Sequence, residues 1–228
     1  GALLFDIFAD QNRTPVVLTD IPKNVQQATI AIEDKDFYRH GGISPIGGML
    51  RALYATVSCK QLQGGSTITQ QLVKNTLLSS EKTLTRKIKE AVLALKIERR
   101  YSKDEILDMY LNEIPYGSNA YGIEAAAQTY FGVHARDLTL AEAAYLAALP
   151  KAPSYYSPYG NHKEDLVKRK NTVLKRMEEL GFISADEASA ASREEVAFLS
   201  PSTQGIRAPH FVMYVVDELI VEFGEEFL

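Results

Sequence analysis

Glu33 lies in the run AIEDKDFYRHGG, residues 31–42. Helical spacing puts Ile30 three residues before it and Phe37 four after, so its carboxyl falls on a strip with apolar flanks. Asp34 and Asp36 add like charge close by. Partial burial and neighbouring negative charge both favour a protonated carboxyl, which suits a group that exchanges a proton near neutral pH. A helix end with solvated acids is the plainer reading of the same residues. His40, ahead of Gly41 and Gly42, reads as a hydrogen-bonding helix terminator rather than a ligand.

A second carboxylate, Glu90, lies in TRKIKEAVLALKIERR, residues 85–100. Leu84, Ile88, Ala91, Val92 and Leu95 share one helical face, and Glu90, Leu93, Ala94 and Ile97 share another. The middle of this helix is therefore apolar nearly all round, a pattern that predicts burial. Arg86 and Lys87 precede Glu90 by four and three residues, the spacing of helical ion pairs. If exposed, such pairs contribute little; buried at the edge of a cleft, they mark a functional site. Residues 81–103 hold eight Lys or Arg against three acids. A solvated face explains that excess, and so does an anionic ligand such as a phosphate.

The third stretch is GGSTITQQLVKN, residues 64–75. Gly64, Gly65 and Ser66 suit a tight turn into a helix, whose free N–H groups favour an anion. Thr67, Gln70, Gln71 and Lys74 then fall on one helical face, where apolar residues would normally stand. Hydroxyl and amide groups both donate and accept, which fits sugar hydroxyls and acetamido groups, and Lys74 adds a point charge for phosphate. A solvent-facing side remains an equal alternative for this stripe. No GxxxxGK[ST] phosphate loop occurs.

These groups need a scaffold, and the chain supplies a mainly helical one. Residues 3–19 read as two short strands around a polar turn at Asp10–Thr14. Helices are expected at about 23–36, 45–58, 66–78, 83–100, 103–112 and 122–130. Further helices follow the caps Thr139 and Ser184, and a charged amphipathic one spans 162–180 and stops at Gly181. Residues 209–223 form a last helix or strand. The 228 residues, 46% hydrophobic and 24% charged, suffice for one domain with a sizeable core. A net charge of -4 argues against nucleic acid as a partner. The single cysteine, Cys59, excludes an internal disulfide framework, and the four scattered histidines offer no metal-ligand spacing. Carboxylates could still hold a divalent ion. No uncharged apolar run approaches the roughly 20 residues of a membrane span, so any membrane anchor is expected outside this stretch of chain.

The three stretches together resemble the signature blocks of the peptidoglycan glycosyltransferases, glycosyltransferase family 51. Glu33, Asp34, Phe37, His40 and Gly42 match the first block, EDxxFxxHxG. Residues 64–75 match the second throughout. Arg86, Lys87, Glu90 and Ala94 match the third, with Ile97 in place of its leucine and then Glu98. Lys103, Ile106, Leu107, Tyr110, Leu111 and Asn112 match a fourth, KxxILxxYLN. The resemblance is strong over about 25–160. Segments 1–22 and 207–224 resemble the flanks of this domain in bifunctional class A penicillin-binding proteins, yet no SxxK, SxN or KTG triplet of their transpeptidase unit is present.

The resemblance implies a lysozyme-like, two-lobed helical domain over 1–228, with a small N-terminal β-hairpin and a smaller membrane-facing lobe at about 40–65. It implies polymerisation of lipid II into β-1,4-linked glycan, with inversion at C1 and release of polyprenyl diphosphate. Glu33 would be the base. Glu90 would orient cations or bind a divalent ion, Mg or Mn, and no cofactor is otherwise required. Ser66, Thr67, Gln71, Lys74, Asn75, Arg86 and Lys87 would bind substrate, with Thr67 and Gln70 open to a purely supporting role. The partners implied are lipid II, the growing glycan strand, the bacterial membrane surface on the outer face of the cytoplasmic membrane, and phosphoglycolipid inhibitors of the moenomycin type. A lytic enzyme of the lysozyme-like group and a non-catalytic lipid-binding module are the rival readings.

Overall fold

The computed structural model describes residues 12–43, 66–78, 83–200 and 215. Within them the chain is mainly helical, as expected. The α-helices are α1 (Lys23–Glu33), α2 (Ile68–Leu77), α3 (Leu84–Arg100), α4 (Lys103–Glu113), α5 (Ile123–Phe131), α6 (Leu140–Ala148), α7 (Lys163–Glu179) and α8 (Ala185–Arg193). The expected helix at about 45–58, most of the membrane-facing lobe and the last element at 209–223 lie outside the described residues, save for helical Val215.

Local chemistry explains the starts. Thr67, Ser102, Thr139 and Ser184 each accept from the backbone N–H three residues on, where a Gln or Glu side chain returns to the cap's own N–H. Each such box satisfies two of the four N–H groups left over at a helix start. Gly122, at φ 82°, opens α5 and packs tightly on α4, since a Cβ there would stand 2.6 Å from the Asn112 carbonyl oxygen.

Two packing groups result. In one, α1 lies against α6 and α7, and α8 packs mainly on α7. In the other, α2 lies between α3 and α4. Both share a core in which Phe37, Ile68, Ile106, Tyr110, Ala126 and Leu146 have no exposed surface. Of the two strands expected within 3–19, the first lies outside the described residues and the second is a loop leading into a 3-10 turn, Leu18–Asp20. Strand β1 (Asn12–Arg13) occupies the anticipated turn and pairs in parallel with β3 (Ala120–Tyr121). That strand in turn pairs antiparallel with β2 (Pro115–Gly117). The hairpin among the described residues is thus the IPYGSNAY loop. Ser118 and Asn119 adopt positive φ at its turn, a conformation tight hairpins demand.

Two expectations about the helices need correction. First, α1 ends at Glu33 rather than near 36, because Asp34 turns its carboxylate to the start of α2, where Oδ2 accepts from the Ile68 N–H at 3.1 Å. Phe37 therefore sits in a 3-10 turn, Phe37–Arg39, and is not on the helical face of Glu33. Second, the apolar run of α3 is not buried all round. Ile88, Val92 and Leu95 are 58%, 47% and 38% exposed, whereas Glu90 and Ala94 are buried. The helix turns its acid-bearing side toward α2, and ion pairs make that burial tolerable.

Candidate active site

Glu33 is the last residue of α1, where outward-facing carbonyls make a carboxylate locally unfavourable. The chain offsets this with donors from two other helices. Gln71, in the first turns of α2, donates from Nε2 to Glu33 Oε2 at 2.6 Å. Arg169, on α7, brings Nη2 to 3.5 Å from Glu33 Oε1. Arg176, two turns further along α7, donates to the Ile32 carbonyl at 3.1 Å and so caps the same helix end. The acids expected to surround Glu33 face elsewhere: Asp34 binds His40 and the α2 start, and Asp36 pairs with Arg39. The nearest charge to Glu33 is thus a cation, and its carboxylate is steadied by donors.

Asp34 and His40 form a clasp beneath this group. His40 Nε2 lies 2.8 Å from Asp34 Oδ1, and its Nδ1 accepts from the Gly42 N–H at 3.2 Å. That pair of bonds fixes the tautomer, with the ring proton on Nε2. Thr67 then donates from Oγ1 to the Gly42 carbonyl at 2.7 Å. A Cβ on Gly42 would come within 2.7 Å of Glu98 Cγ, so only glycine allows this approach. Glu98 accepts from Thr69 at 2.5 Å and from Lys103 at 2.7 Å, and the Lys103 ammonium lies 4.4 Å from the centre of the Phe37 ring. Residues of all four sequence blocks thus interlock through named bonds.

The polar stripe divides accordingly. Thr67 precedes α2 as its cap, and Gln70 completes the capping box; both are buried. The Thr67 hydroxyl and Gln70 Oε1 are both engaged by backbone groups. Gln71 is turned to Glu33, while Lys74 and Asn75 are exposed beyond it.

Glu90 is 1% exposed and accepts from Arg86 Nη1 at 3.3 Å and from Lys87 Nζ, one oxygen to each. Lys87 also donates to Ser66 Oγ at 2.8 Å, tying α3 to the entry of α2. Arg86 Nε is buried without a hydrogen-bond partner among the described residues. Both carboxylates therefore address α2, Glu33 through Gln71 and Glu90 through Lys87 and Ser66. Among the described residues no group of three or more His, Cys, Asp or Glu side chains gathers as a cation site, and both Glu90 oxygens are engaged by cationic side chains.

Sequence reasoning overlooked Arg169, Arg176, Lys151 and Tyr110. Arg169 and Arg176 are separated by seven residues and flank the buried Val173, so two arginines at apolar-face positions of α7 were the available signal. Arg169 is held from behind by its Nε bond to the Ala148 carbonyl at 2.9 Å and by the Tyr156 ring, 5.5 Å away. Lys151 lies close enough to feel Arg169, Arg176 and Glu33. Partial burial, and then repulsion from Arg169, holds its ammonium below the usual lysine value, against the pull of Glu33. Tyr110 has no exposed surface, and its hydroxyl meets Gln71 Oε1 at 3.3 Å.

The transglycosylase family profile matches residues 1–178. The chain is 50% identical over 188 residues to penicillin-binding protein 1A of Aquifex aeolicus, covering 82% of this chain and 26% of that protein. It is 48% identical over 217 residues to penicillin-binding protein 1F of Bacillus subtilis, covering 95% of this chain and 30% of that one. The crystal structure of penicillin-binding protein 1A from Haemophilus influenzae superposes with a TM-score of 0.55 at 28% identity, over 95% of this chain and 22% of that one. The chain thus spans between a quarter and a third of the length of these curated relatives. A donor-held glutamate, a carboxylate paired with two cations and the four blocks that lock them together sit within the matched span, and the chain belongs to the transglycosylase family.

Proposed function

We propose that this chain is a peptidoglycan glycosyltransferase that polymerises lipid II, and that Glu33 is its base. The observation that carries the reading is the placement of two unlike sites along α2. At one, Glu33 is steadied by Gln71 and Arg169; at the other, the cations Lys87 and Arg86 are gathered by a buried Glu90. An inverting transfer from a lipid diphosphate needs this pair, a proton acceptor for the incoming hydroxyl and positive charge where the diphosphate departs.

In the proposed step, the 4-hydroxyl of an acceptor GlcNAc gives its proton to Glu33. Its oxygen forms the new bond to C1 of the donor MurNAc on the face opposite the leaving group. The C1–oxygen bond breaks, and its electron pair remains on the polyprenyl diphosphate. Arg86 and Lys87, with Lys74 on the exposed side of α2, would neutralise that developing charge, as in other phosphate sites. Ser66 and Asn75 supply further polar contacts, whereas Thr67 supports the loop as a cap. Such a substrate places the reaction at the outer face of the cytoplasmic membrane. A phosphoglycolipid inhibitor would occupy the same cleft.

Incubation with lipid II and, separately, with polymeric peptidoglycan tests the proposal. Growth of glycan chains from lipid II is the expected result. Cleavage of the polymer without synthesis would assign a lytic enzyme, and binding of lipid II without turnover a non-catalytic module.

A further inference from the structure

Gln71 stands between two groups that make opposite demands on its amide. Glu33 Oε2, as a carboxylate, can only accept, and Gln71 Nε2 serves it at 2.6 Å. On the other side the Tyr110 hydroxyl faces Gln71 Oε1 at 3.3 Å. Burial, and then the charge of Glu33, push the Tyr110 phenol well above its ordinary value, so it keeps its proton wherever the carboxylate is ionised. With the phenol O–H spent on Oε1, the amide nitrogen is directed to Glu33. Tyr110 is locked in the core on α4, so the chain of donors has a rigid origin.

The two oxygens of Glu33 are thereby made different. Oε2 holds a short bond from an amide. Among the described residues Oε1 has only Arg169 Nη2, at 3.5 Å, too long for a good hydrogen bond but near enough to attract negative charge. Arg169 cannot close that gap freely, because its Nε is engaged by Ala148 and its plane lies over Tyr156. Among the described residues Oε1 is the oxygen without a short hydrogen bond, and a cation stands beside it.

We infer that Tyr110 is a positioning residue for the reaction. Its hydroxyl sets the Gln71 amide so that Nε2 occupies Glu33 Oε2, leaving Oε1 as the atom that takes the proton of the incoming hydroxyl. The inference rests on the proposed function. Protonation at Oε1 requires no turn of the amide, so the donors are already arranged before the proton arrives. Other charged or titratable groups act on Glu33 as well: Arg169 on α7, Lys151 after α6, and Tyr116 on β2. These stay in place when Tyr110 is changed.

The test compares Tyr110→Phe, Gln71→Leu and the double variant with wild type, using lipid II as substrate across a pH series. Tyr110→Phe keeps the ring in the core and removes only the hydroxyl. Its kcat should fall about fivefold with KM nearly unchanged, the size expected for one hydrogen bond. The acidic limb of its profile should move to higher pH, because a freed amide no longer favours the carboxylate consistently. The double variant should lose no more than Gln71→Leu alone. A wild-type profile for Tyr110→Phe, or losses that multiply in the double variant, overturns the inference. Titration of the Glu33 carboxyl by 13C NMR reads the same shift without turnover. A shift in Tyr110→Phe, with a wild type that makes no glycan, would refute the proposed function and leave the Tyr110 arrangement standing; no shift would refute the arrangement itself.

Discussion

Arg169 and Glu33 are 136 residues apart in sequence and 3.5 Å apart in space, joining the last turn of α1 to the middle of α7. The contact places a fixed cation beside the oxygen that has no other donor among the described residues. Arg169→Ala should lower kcat by about tenfold to a hundredfold, in line with loss of one preorganised charge. Arg169→Lys should recover only part of it, since an ammonium cannot keep both the Ala148 bond and the approach to Glu33. Steady-state rates on lipid II, with Tm as a control on folding, check both.

Glu33→Gln conserves shape and removes the proton acceptor. Polymerisation should fall by about a hundredfold to ten-thousandfold, the usual contribution of a general base. Binding of a phosphoglycolipid should stay within about threefold, because the cations grouped by Glu90 are untouched. Unimpaired polymerisation by this variant would remove Glu33 from the mechanism.

At the other site the expected consequences differ. Lys87→Ala should raise KM for lipid II and weaken its dependence on ionic strength, since half-exposed Lys87 is the more accessible of the two cations on Glu90. Glu90→Leu removes a buried carboxylate that serves both cations, and should destabilise the chain by about 3 kcal/mol. Denaturant midpoints separate that effect from the loss of activity.

A pH dependence of stability should arise away from the site. Glu124 is buried at the start of α5, and burial alone would raise its value; the Ala135 N–H, His134 and Gln128 together hold it below the ordinary 4.5. A carboxyl so depressed binds fewer protons when folded. Its contribution is therefore fully present above about pH 4.5 and is lost as pH falls through the lower folded value. Glu124→Gln should lower Tm at neutral pH, with the gap to wild type narrowing below pH 4.5.

Two glycines offer a matched comparison of strain and space. Gly122→Ala combines a φ of 82° with a Cβ 2.6 Å from the Asn112 carbonyl oxygen, and should cost about 3 kcal/mol or more. Gly181→Ala shares a positive φ, 71°, but meets nothing within 4 Å, and should cost only about 1 kcal/mol. Thermal melts distinguish the two.

Two helix starts were legible in sequence because a cap is a local event: Thr139 and Ser184 act within three residues. The pairing of Lys87 with Glu90 was legible for the same reason. The end of α1 was not, since Asp34 leaves the helix for a partner on α2 that helical periodicity does not represent. Thr67 and Gln70 were placed with Gln71 and Lys74 by counting residues, although one precedes the helix and the other serves its cap. The apolar repeat of α3 misled because Glu90, paired with two cations, takes the buried side while Ile88 and Val92 face outward. Arg169 and Tyr110 lay beyond any local rule: only the packing of α7 and α4 brings them to Glu33 and Gln71.

Lys87 is never a bare cation, since its ammonium is divided between Glu90 and Ser66. In the proposed reaction, a diphosphate arriving there would exchange for a share of those bonds instead of filling an empty positive pocket. The stabilisation grows as charge develops on the departing oxygen, but Glu90 remains ready to reclaim the ammonium. In that reaction, product inhibition by the released diphosphate would be limited, and the site would be free for the next sugar unit.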